Sequence, residues 1–209
     1  MLNKKLHSAG FTIVELMIAT LVFSVILTIA TVGILNIGRL YRKSLTQSQT
    51  QQVARTILDT VSQNIKFNGG SVVSGTNYYC LGAGKRLSYS LDTQFISSNT
   101  HGLVIDDIAC TSTTVAQTIN SSTISGKELL GPRMRLAQFY ICWNGMTASN
   151  DCQSAFNNNL KSNTFFVKVR VVYGDTDLLT TDKQSCLSNA GREFCAVSEI
   201  STYVQKVLQ

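Results

Sequence analysis

Apolar and polar positions divide this chain unevenly. From Leu16 to Leu35 it reads LMIATLVFSVILTIATVGIL, without a charged residue. At about 1.5 Å per helical residue the stretch spans roughly 30 Å, the thickness of a bilayer's hydrocarbon core. A buried helix of a water-soluble domain would show a polar stripe, and none is visible. The pattern predicts a membrane-inserted helix. Further on, Ala54, Ile57, Leu58, Val61 and Ile65 recur at helical spacing, with Arg55, Asp59, Gln63 and Lys66 on other faces. One helix is therefore expected over residues 12–66, its far half packed on a head and its end set by Gly69-Gly70. Between the two regimes, Ser44–Gln52 is polar nearly all round, with Leu45 its one apolar residue. It reads as a spacer at the membrane surface.

After residue 67 the period changes to two. Phe165, Val167, Val169, Val171 and Tyr173 alternate with Phe166, Lys168, Arg170 and Val172, which predicts a half-buried strand with a charged outer face. Leu136–Trp143 is nearly all apolar and reads as a central strand. Ala196–Leu208 is β-branched and reads as a closing strand. Segments 87–91, 101–108 and 113–119 are weaker candidates. The fold class expected is α+β, a long N-terminal helix packed on an antiparallel sheet.

Composition narrows the chemistry. The chain has 209 residues, net charge +6, one proline (Pro132) and two histidines (His7 and His101). Metal or catalytic chemistry built on several histidines is thus not expected, and His101, near Asp106-Asp107, has no nucleophile to serve. Asp106-Asp107 reads as a solvated pair. No nucleophile elbow, zinc-protease helix or phosphate loop occurs, so no enzyme and no cofactor are expected. Asp175, Asp177 and Asp182 crowd one turn and form a weak calcium candidate, although aspartate is common in turns. Lys85-Arg86 and Arg133/Arg135 are basic pairs that can meet DNA phosphates or simply face water. All six cysteines lie at or after position 80. Six allow fifteen pairings; the pairing expected is between neighbours, Cys80–Cys110, Cys142–Cys152 and Cys186–Cys195, stapling loops. No Cys-x-x-Cys pattern favours zinc instead.

The first residues carry the most specific signal. Lys4 and Lys5 precede the apolar stretch as in a secretory signal, but no small-x-small cleavage site closes it. Glu15 stands directly before Leu16. A carboxylate in hydrocarbon costs about 2.5–3.5 kcal/mol, so it calls for a cationic partner. Gly10-Phe11-Thr12-Ile13-Val14-Glu15, after a short basic leader and before an unbroken apolar helix, resembles the type IV prepilin signature. The resemblance covers residues 1 to about 67. It implies that a prepilin peptidase cuts after Gly10 and methylates the new amine of Phe11. Glu15 would then be the acidic residue that pairs with the ammonium of a neighbouring subunit. It implies a division into leader (1–10), membrane and assembly half of the helix (11–38), amphipathic half (39–67) and globular head (68–209).

Lys4 and Lys5 on one flank and Arg39, Arg42 and Lys43 on the other leave the positive-inside rule undecided. The cysteines suit an oxidising compartment, which places the leader in the cytoplasm and the head outside. The resemblance implies a subunit of the cytoplasmic membrane that later joins an extracellular fibre, with prepilin peptidase, the membrane and other pilin subunits as partners. A proline kink, frequent in major pilins, is missing near Thr31-Val32-Gly33, and the head is bulky. These traits favour a minor pilin at or near the fibre tip. A secretion pseudopilin and a major pilin are the nearer alternatives. A tethered adhesin or DNA-uptake module, with a host-surface or DNA ligand, is the alternative of another class.

Overall fold

A computed structural model describes residues 10–82, 84–96, 99–110, 114–119, 124–144, 146, 152, 163–188 and 191–207. The leader residues before Gly10 lie outside that set. One helix, α1, runs unbroken over Ile13–Phe67. Glu15 in its first turn and Lys66 in its last complement the helix dipole. Asn68 N still donates to Asn64 O at 3.0 Å, and Gly70 then takes φ 90°, a conformation that turns the chain away. Two compact units divide within this helix, residues 1–41 and 42–209.

Among the described residues of the first unit, 10–41, the apolar side chains are all exposed. The four hydroxyls between Leu16 and Leu35 are satisfied by the helix itself. The hydroxyls of Thr20, Ser24, Thr28 and Thr31 donate to the carbonyls of Met17, Thr20, Ser24 and Leu27 at 3.0, 2.7, 2.8 and 2.8 Å. Hydrocarbon tolerates polar groups only on that condition. Among the described residues this is the one helix long and apolar enough to cross a membrane.

In the second unit the rest of α1 packs on two antiparallel sheets. The first has the order β1 (Val72–Gly75), β2 (Tyr78–Leu81), β3 (Arg86–Tyr89), β4 (Leu103–Asp106), β5 (Lys127–Glu128); the second is β6 (Met134–Trp143), β7 (Thr164–Tyr173), β8 (Ala196–Gln205). The expected single sheet is thus two. Pro132, without an N–H, and Arg133 at φ 62° break the run between β5 and β6. Ala54, Ile57, Leu58, Val61 and Ile65 form the buried face of α1. They join Leu81, Leu87 and Leu103 from the first sheet and Leu136, Ile141, Val167, Val169 and Val171 from the second in one core. Tyr79, Tyr89 and Phe139 join the sheets, with ring centroids 5.5–5.7 Å apart.

Three expectations need correction. Leu136–Trp143 lies in β6, which is an edge strand and not a central one. Its outer edge is covered by the segment around residue 93, where Asp92 N donates to Leu136 O (2.9 Å) and Phe95 N to Met134 O (2.8 Å). Its apolar composition follows from burial of both faces: Leu136, Phe139 and Ile141 enter the main core, while Ala137, Tyr140 and Cys142 pack in smaller clusters on the other side. Residues 114–119, the described part of the 113–119 candidate, form no strand. They cross the face of the first sheet opposite the core, accepting from Tyr78 Oη at Thr114 O (2.8 Å) and from Arg86 Nη1 at Val115 O (2.7 Å). The polar stretch Ser44–Gln52 is no bare spacer. Thr50 is buried, and Gln47 Nε2 donates to Val197 O of β8 at 3.1 Å. At the other end of β8, Val207 N donates to Lys66 O at 3.4 Å, so the helix lies along this strand.

Candidate functional site at the start of the helix

Gly10, Phe11 and Thr12 precede the helix in a non-helical segment, and Phe11 is 81% exposed. Thr12 is the N-cap: its carbonyl accepts the first helical bond from Leu16 N at 3.2 Å. The Thr12 hydroxyl accepts from Glu15 N at 3.2 Å, and Glu15 Oε2 accepts from Thr12 N and from the Thr12 hydroxyl, both at 2.9 Å. This reciprocal capping box satisfies orphan donors of the first turn. Both bonds to the carboxylate fall on Oε2. Among the described residues no hydrogen bond reaches Oε1, so one oxygen of a fully exposed carboxylate remains for a cation. Thr12 is the residue that sequence reasoning missed. Its signal was present, a threonine three places before an acidic residue and ahead of an apolar run.

Residues 5–31 match the family model described as the prokaryotic N-terminal methylation motif. Over that segment the chain carries a type IV pilin-like N-terminal motif. No curated protein and no solved structure matches the chain. The pilin-like motif implies processing by prepilin peptidase and assembly with other pilin subunits, and it fits a structural subunit. With the apolar helix it fits a membrane-anchored subunit that later enters a pilus.

Elsewhere in the chain most of the candidate residues are committed to the fold. The disulfides are Cys80–Cys110, Cys142–Cys152 and Cys186–Cys195. Asp175 pairs with Arg133 and accepts from Gln94 Nε2 at 3.2 Å. The Arg133 hydrogen bond, then that of Gln94, holds its carboxyl below the ordinary range. Asp182 accepts from the Thr180 hydroxyl and from Gln184 N, and Asp177 is exposed. Among the described residues no three His, Cys, Asp or Glu side chains gather as a metal site.

The basic pairs are likewise occupied. Lys85 pairs with Asp107, and Arg86 with Asp106. Asp106 is 3% exposed, so the expected solvated pair is half buried. Arg135 is 1% exposed and donates to Gly174 O at 3.1 Å. Burial pulls its guanidinium below the ordinary value. His101 is buried with Nδ1 3.2 Å from Glu128 Oε2. Burial raises the Glu128 carboxyl, and the N–H groups of Leu130, Leu103 and Gly102 oppose that rise.

Proposed function

We propose that this chain is a minor pilin, cleaved between Gly10 and Phe11, methylated on the Phe11 amine, and built into the fibre at or near its tip. Glu15 accepts the ammonium at position 11 of a neighbouring subunit and so sets the axial register between them. The observation that carries this reading is the half-satisfied Glu15 carboxylate. Thr12 holds one oxygen, while the other stands free on a helix whose next 23 residues carry no charge. In an apolar bundle a lone carboxylate is costly and a paired one much less so. Cleavage supplies the missing cation at the position where the helix begins.

In this reading residues 1–10 are the leader, 11–38 the membrane and assembly half of the helix, 39–67 its packed half and 68–209 the head, held outside the cytoplasmic membrane until assembly. The minor role is supported by two features. The apolar half contains no proline to release the helix on packing, and the head is built of two sheets with long connections. Such a head is harder to repeat along a tight helical array than to place once at an end. Quantitative mass spectrometry of sheared, purified surface fibres tests the assignment. The chain is expected in the fibres as a small fraction of the most abundant subunit. Parity with that subunit would contradict the minor role, and absence from fibres despite presence in the membrane would contradict assembly.

A further inference from the structure

The end of α1 borders a pocket of about 230 Å³, formed where three pieces of the chain meet. Residues 66–70 finish the helix and turn away, Asn163 precedes β7, and Lys206-Val207 follow β8. The main chain ties these pieces together and in doing so uses their acceptors. Lys66 O accepts from Val207 N at 3.4 Å, Asn163 O accepts from Lys206 N at 3.0 Å, and Gly70 O accepts from the Lys206 ammonium. A helix end of this kind is ordinarily an electronegative pole, and here donors already cover it.

The donors of the pocket are not used up. Among the described residues, the N–H groups of Gly69 and Gly70 and the Lys66 ammonium have no partner. Lys206 spends one of its donors on Gly70 O and keeps the others. Among the described residues that line the pocket there is no carboxylate to neutralise the two lysines. The Asn163 carboxamide bonds no described group and offers both a donor and an acceptor. Around Gly69 nothing stands within 4 Å of where a Cβ would be, so the main chain is open to approach. This set suits a ligand that is rich in acceptor oxygens and negatively charged.

The rim adds a second requirement. Phe67 is 65% exposed and Val207 52%. The negative face of an aromatic ring attracts the polarised C–H groups of a saccharide. A bare inorganic anion would use the lysines and leave the ring idle, whereas a sugar that carries a carboxylate uses both. The volume lies below the roughly 300–1,000 Å³ of drug-sized sites, which suits one sugar unit. We propose that this pocket binds an acidic sugar. Its carboxylate meets Lys66, Lys206 and the Gly69 and Gly70 N–H groups, a hydroxyl meets Asn163, and the ring lies on Phe67. The site does not depend on cleavage at Gly10 or on a place in a fibre.

Amide proton–nitrogen spectra of the full chain in detergent micelles test it. D-Galacturonate is the probe; D-galactose carries the ring without the charge, and acetate the charge without the ring. The expected result is saturable shifts of the Gly69 and Gly70 amides with galacturonate and only weak, unsaturated ones with either control. Lys66→Gln, which removes no bond from the fold, is expected to weaken binding about tenfold. Phe67→Ala is expected to weaken the sugar and leave the acetate response unchanged. Trigalacturonate separates two sources of the same chemistry: tighter binding than the single sugar assigns the site to a glycan chain, and equal binding to a free sugar acid. Absence of shifts with galacturonate, an equal response to acetate, or an unchanged affinity in Lys66→Gln overturns the proposal. Processing at Gly10 is read separately, so that failure leaves the proposed function standing.

Discussion

Glu15 and Thr12 cap the helix for each other: one carboxylate oxygen accepts both the backbone N–H and the hydroxyl of Thr12, while the Thr12 hydroxyl accepts from Glu15 N. The acidic residue is thereby fixed in orientation before any neighbour arrives. Thr12→Ala is expected to weaken the first turn by about 1 kcal/mol, roughly a fivefold rise in its opening. Thr12→Ser is expected to keep it. Amide exchange at Glu15 in detergent micelles measures this, and equal rates in the three proteins would contradict the capping role.

Arg86 and Asp106 stand directly opposite each other in β3 and β4 and are both buried. Removing one partner leaves an uncompensated charge. Asp106→Ala is expected to destabilise the head by about 3–5 kcal/mol, and pairing it with Arg86→Met to recover most of the loss. Urea unfolding of the full chain, followed by Trp143 fluorescence, reads both values. A neutral single substitution would show that the pair contributes nothing.

The same two residues show where sequence reading stops. Alternation in Phe165–Tyr173 identified β7 and its inner face because each residue's neighbours two places away share its environment. The helical face from Ala54 to Ile65 was legible for the same local reason. Arg86 and Asp106 are 20 positions apart, and only the register of β3 on β4 brings them together. Nothing local distinguishes them from solvated charges. Strand order was equally hidden: β6 is apolar like a central strand because both of its faces are buried, although it lies at a sheet edge. At the candidate site the residues Gly10, Phe11 and Glu15 were legible as a motif, and Thr12 was overlooked although its spacing carried the cap.

The three disulfides close loops of different length, with sequence separations of 30, 10 and 9. On chain entropy, removing Cys80–Cys110 by paired Cys→Ala substitution is expected to cost about 3.6 kcal/mol, against about 2.6 for Cys186–Cys195. Denaturant midpoints of the two double variants check the order. The reverse order would show that strain or residual structure outweighs loop size.

Glu199 provides a pH signature. Burial alone would raise its carboxyl, but hydrogen bonds from Lys168 and Arg170 hold it below the ordinary value. A depressed carboxylate stabilises the fold above its unfolded pKa and loses that contribution as pH falls through the folded one. The group is largely exposed, so the effect is small, about 0.5 kcal/mol after screening. Glu199→Gln is expected to lower stability at pH 7 and to match the unsubstituted protein at the acid end, once the pH is below the folded value. A pH-independent difference would contradict the ion-pair account.

The central claim is that this helix begins its working life at position 11 with a new ammonium beside a waiting carboxylate. Intact-mass and N-terminal fragment spectra of the chain purified from membranes with an active prepilin peptidase test it most directly. The account predicts a mature chain starting at N-methylated Phe11. A chain retaining residues 1–10, or one cut elsewhere, would contradict it.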